Sequence, residues 1–268
     1  MKWIERFVGK IFREKVCSMW RLEEEYFLKL KIIARNRLNP GGVFTYLVGL
    51  WLYSLAILGT STLIIRLALD IKAIGKFTII VYSCFLFVFL CLFIYLVICI
   101  FWGKILYRTQ RFATFLMVLY TIVMSVEPLF LCHLFALDGE WGKQFNLWII
   151  VSVTLALMQF LICFHLVRTG ILKGSLKKEG VGLFEWNKDL KLLMQIMISS
   201  YLLLIIWLFF IIGLSTNIFG PMVFLALMFL FSIAVQEFII LVICRYRFSS
   251  FNVSYEEATK YRVKKKRR

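Results

Sequence analysis

Long apolar runs separated by short polar stretches set the pattern of this chain. Six runs stand out, over residues 43–65, 77–101, 112–135, 145–167, 192–214 and 222–244. About 20 residues rising 1.5 Å each cross roughly 30 Å of hydrocarbon, and every run meets that length. Helicity follows because a backbone N–H or C=O left unpaired in lipid costs several kcal/mol. The expectation is an all-α fold, a polytopic membrane helix bundle with six transmembrane helices.

Ahead of the first run the period changes. Trp3, Ile4, Phe7, Val8, Ile11 and Phe12 recur at helical spacing, with Lys2, Glu5, Arg6, Lys10, Arg13 and Glu14 filling the other side. That stripe is too short and too charged at its flanks to span. It predicts an N-terminal amphipathic helix lying in the interface, apolar face down. Docking of the arm against the cytosolic ends of the bundle is compatible with this. Asn39-Pro40-Gly41-Gly42 then predicts a break. The division is an amphipathic arm over 1–42, a transmembrane domain over 43–244 and a basic tail over 245–268.

Composition reinforces the pattern. Of the 268 residues, 62% are hydrophobic and 18% charged. A soluble core could not bury so much apolar surface behind so few charges. The N-terminal stretch is charged from the start, so no cleavable signal peptide is expected and the first span serves as the insertion signal. The seven cysteines include no C-x-x-C, and most sit inside or at the ends of the runs, where they read as small packing residues.

Charge supplies orientation. The net +17 is concentrated at the two ends and in particular connectors. Summed over alternate segments, 28 Lys and Arg fall on one side and four on the other. Cytosolic segments carry the excess, so both ends of the chain are expected inside. Localisation then reads as integral membrane, in the endoplasmic reticulum of a eukaryote or the cell membrane of a bacterium. The expected contacts are membrane lipids, including anionic headgroups, and a cytosolic or membrane partner protein; no nucleic acid is expected.

Candidate chemistry is sparse. Glu127 precedes Pro128 in the third run, where a carboxyl beside a proline kink can bind a cation, relay a proton or hydrogen-bond within the bundle. Glu237 in the sixth run is expected to pair with a cytosolic base such as Arg245. Gln159 and Gln195 add polar positions suited to helix–helix hydrogen bonds. His133 and His165 fall near opposite faces, too far apart to share a metal or haem. Walker A, H-E-x-x-H and G-x-S-x-G patterns are absent, so no catalytic residue, cofactor or metal is assigned. Lys265 and Lys266 look like the dilysine retrieval signal of endoplasmic-reticulum proteins, and also serve as plain positive-inside charge.

The leading expectation is a non-enzymatic transport or translocation component. The layout is similar to small permease subunits of the ABC type, an analogy at the level of fold. An assembly or scaffold protein of the endoplasmic reticulum and a lipid-modifying membrane enzyme are the alternatives.

Overall fold

A computed structural model describes residues 22–67, 75–136, 142–178, 231 and 234–258. Every regular element among them is helical. A 3-10 turn (Glu24–Phe27) leads into α1 (Leu28–Arg35). Then come α2 (Pro40–Leu67), α3 (Lys76–Phe101), the short α4 (Gly103–Arg108), α5 (Gln110–Ala136) and α6 (Gly142–Leu172). Residues 234–247 form α7, followed by a 3-10 turn at Ser249–Phe251.

Four helices among the described residues are long and apolar enough to cross a membrane, over Pro40–Arg66, Lys76–Phe101, Gln110–Leu131 and Val153–Leu172. They match the first four apolar runs. The fifth run, 192–214, lies outside the described residues, as does the amphipathic stripe before residue 22; the sixth is described only at 231 and from 234 onward.

Two boundaries differ from expectation for local reasons. Asn39-Pro40-Gly41-Gly42 starts α2 and does not separate from it. The Asn39 side-chain oxygen accepts the Gly42 N–H at 2.8 Å, and Pro40 occupies the first helical position, where no N–H is needed. A Cβ at Gly42 would run into the Arg37 carbonyl, so the turn over 36–39 requires glycine there. The fourth run extends to Leu172 and ends in a Schellman turn. Gly174, at φ 84°, donates to the Ile171 carbonyl, and Ser175 donates to Gly170. Arg168, counted with the fourth connector by sequence, therefore lies within α6 and is buried.

Cross-contacts give the helix directions. Tyr46 meets Thr121 and Ser54 meets Glu127, both numbers rising together, so α2 and α5 run parallel. Thr62 meets Tyr82, and Trp51 stacks on Phe89 and Phe93, so α3 returns antiparallel to them. α7 also returns: Phe238 packs edge-on against Tyr46, while Arg245, two turns later, reaches Leu38. The starts of α2 and α5 and the ends of α3, α6 and α7 thus share one end of the bundle.

That end holds the main core. Phe27, Leu30, Ala34, Leu38, Leu47, Met117, Ile171, Leu176, Leu241, Cys244 and Phe251 pack together there and along the adjoining helices. Residues 22–35 of the arm are docked on the bundle. A smaller cluster of Phe130 and Leu134 seals the opposite end against Ile64, Ile65 and Tyr82. α3 is peripheral and leaves Ile80, Phe87, Ile94 and Phe101 exposed along one side.

Candidate polar sites between the helices and at one end

Glu127 is 1% exposed and faces α2. The Ser54 hydroxyl lies 2.8 and 2.9 Å from its two oxygens, and no cation pairs with it among the described residues. The next residue, Pro128, supplies no N–H, so the Met124 carbonyl lacks its usual helix partner, yet α5 continues through it. About two turns closer to the arm, the Tyr46 hydroxyl meets Thr121 at 3.0 Å. A ladder of two polar pairs therefore lines the α2–α5 seam.

Glu237 is paired, but not with Arg245 as expected. The Arg37 guanidinium donates to both its oxygens at 3.0 and 3.1 Å. The Glu237 side chain is 7% exposed and that of Arg37 is 69% exposed, so an arm cation reaches in from solvent to a buried carboxylate. Eight residues along a helix turn Arg245 about 80° from Glu237 and carry it roughly 12 Å away. Gln236, next to Glu237, is buried, and its side-chain N–H2 has no partner among the described residues. Gln159 is buried on α6. Gln195, Lys265 and Lys266 lie outside the described residues. His133 meets the Thr78 hydroxyl at 3.1 Å near the far end of α5. No group of three metal-ligating side chains gathers among the described residues.

The arginine expected to pair with Glu237 joins the most segments. Arg245 is fully buried. Its guanidinium donates to the carbonyls of Leu38 and Gln110 and to the Thr114 hydroxyl, joining the arm, α5 and α7. Gln110 extends the join to the tail. Its side-chain N–H2 donates to the Val253 carbonyl at 3.3 Å, and its oxygen accepts the Val253 N–H at 3.0 Å, as a paired strand would. Asn252 caps the Arg245 carbonyl at 3.2 Å. Gln110 and Thr114 are one helical turn apart, a polar pair at the head of an apolar run; that spacing was the sequence signal for a packed polar face.

Further contacts close the same end. Lys29 donates its N–H to the Leu176 carbonyl at 3.0 Å, and Lys177 sits 4.0 Å over the Tyr26 ring. The Glu24 carboxylate accepts from Lys31 and from the Ser250 hydroxyl, both at 2.6 Å. These two bonds hold its carboxyl below the usual range. Arm, second connector, the turn after α6 and tail are therefore in direct contact. No protein-family profile, no curated protein and no solved structure matches this chain.

Proposed function

We propose that the protein is a six-span membrane protein with its arm, second and fourth connectors and tail in the cytosol, acting as a non-enzymatic transport or translocation component. The observation that carries the transport part is Glu127, a carboxyl 1% exposed beside a proline, with a neutral hydroxyl as its partner. Intramembrane ionisable groups are costly, and one held by a weak donor at a helix irregularity suits a site that gains and loses a proton or cation. The packing of the four cation-rich segments against one another agrees with their sharing one side.

Proton flux tests this directly. Purified protein is placed in liposomes holding a pH-sensitive dye, a pH step is imposed, and valinomycin with potassium balances charge. Wild type is expected to dissipate the gradient faster than protein-free liposomes. Glu127→Gln should fall to the protein-free rate, and Ser54→Ala should lie between, with thermal stability near wild type. Equal rates for wild type and Glu127→Gln, or no flux above the protein-free rate, would overturn the reading.

A second reading has its own support. The hydrogen-bonded cluster around Arg245 joins arm, α5, α7 and tail, as an assembly or scaffold protein requires of a rigid cytosolic face. In that reading Glu127 and Ser54 join helices, and Glu127→Gln leaves flux unchanged.

A further inference from the structure

The stretch between α3 and α5 reads Phe101-Trp102-Gly103-Lys104-Ile105-Leu106-Tyr107-Arg108-Thr109-Gln110-Arg111. Its middle folds as α4, which is fixed in rotation. Leu106 is buried, and Thr109 anchors the end of α4 by bonding the Ile105 carbonyl at 2.9 Å and the Tyr95 hydroxyl at 3.2 Å. Lys104 and Arg108 each lie two residues from Leu106, about 160° around the helix, and one turn from each other. Both are exposed, as is Arg111 at the head of α5. None of the three pairs with a carboxylate among the described residues. Of the tail acids nearby, Glu257 is occupied by Arg35 and Glu256 is exposed.

Apolar surface adjoins these cations. Phe101 is 74% exposed and Trp102 61%, at the foot of the open side of α3. Tyr246 and Tyr255 are exposed, with Arg111 and Lys104 each 5.8 Å from one of their rings. Aromatic rings beside exposed Lys and Arg at the end of an apolar helix are the features that hold phospholipid at a membrane surface.

We propose that α4 and its flanks form a site for an anionic phospholipid, with the phosphate against Lys104, Arg108 and Arg111 and the acyl chains along Phe101 and the exposed side of α3. This rests on the membrane reading above and is independent of whether Glu127 carries flux. It gives one place, and one set of residues, to the general headgroup contact expected from charge.

Native mass spectrometry of the full chain in detergent, titrated with phosphatidylglycerol or phosphatidylcholine, tests it. Phosphatidylglycerol should be retained in preference. Lys104→Gln/Arg108→Gln should weaken that retention about tenfold or more, since each cation near the surface contributes on the order of fivefold. The matched double Lys173→Gln/Lys178→Gln should leave it within about twofold on the same scale. Lys104→Arg/Arg108→Lys should restore it, which separates loss of binding from loss of fold. Inorganic phosphate should not displace the lipid, because the apolar contacts belong to the site. Equal weakening by both Gln doubles, equal retention of the two lipids, or displacement by inorganic phosphate would overturn the proposal. Retention of neither lipid would instead count against the membrane reading itself.

Discussion

Replacing Arg245 with Ala is expected to lower stability by about 3–5 kcal/mol, the largest single effect in the described part of the protein. Two losses add. The Leu38 and Gln110 carbonyls lose a charged donor in a place water does not reach, and a full-length side chain leaves a void among packed neighbours. Thermal unfolding in detergent, followed by tryptophan fluorescence, measures the effect. Arg245→Lys should fall between, because a single ammonium cannot reach three acceptors spread across two segments as a planar guanidinium does. A change below about 0.5 kcal/mol for Arg245→Ala would show that the arm and α5 are held by other contacts.

Gln110→Ala should cost about 2–4 kcal/mol, and its effect should be local to the tail. The substitution removes three hydrogen bonds, one to the Tyr107 carbonyl and two to Val253, and strands both the N–H and the C=O of Val253, a residue that is itself buried. Hydrogen exchange read by mass spectrometry should show lost protection over 249–255 while α2 and α5 hold theirs. Gln110→Glu keeps the acceptor for the Val253 N–H and loses the donor, so it should show roughly half the effect. Combined with Arg245→Ala, the losses should be less than additive, since both act on the same cluster. Full protection of 249–255 in Gln110→Ala would mean that the tail is held elsewhere.

Length and hydropathy make part of this fold legible from sequence alone. An apolar run of membrane length has one backbone solution, so the first four runs match helices with ends shifted by at most five residues. The shifts have local causes that pattern reading weighed wrongly. Asn39-Pro40 predicts a break by pattern, although the same residues cap and start a helix. At the end of α6, Gly174 closes a helix that had carried Arg168 past the apolar run.

Polar pairing was much less legible, because the partners are distant in sequence. Ser54 and Glu127 are 73 residues apart, Gln110 and Val253 are 143, and Leu38 and Arg245 are 207. A sequence shows that Glu127 must find a partner, and not which helix turns a hydroxyl towards it. Glu237 shows the same limit. Arg245 was the nearest cation along the chain, yet helix geometry turns it away, and Arg37 arrives from the arm. Burial also reversed expectation for Arg168 and Arg245, which were counted as surface charge and are covered.

Side-specific labelling is the most direct test of the proposed shared cytosolic end. Single cysteines placed at Lys104, Lys178 and Ser254, and separately at Lys76, in a cysteine-free background would be exposed to a membrane-impermeant maleimide in intact cells. Labelling is expected at position 76 alone, with 104, 178 and 254 reacting only after the membrane is opened. If any of those three labels from outside along with 76, the second connector, the turn after α6 and the tail do not share the cytosol, and the reading of this protein fails.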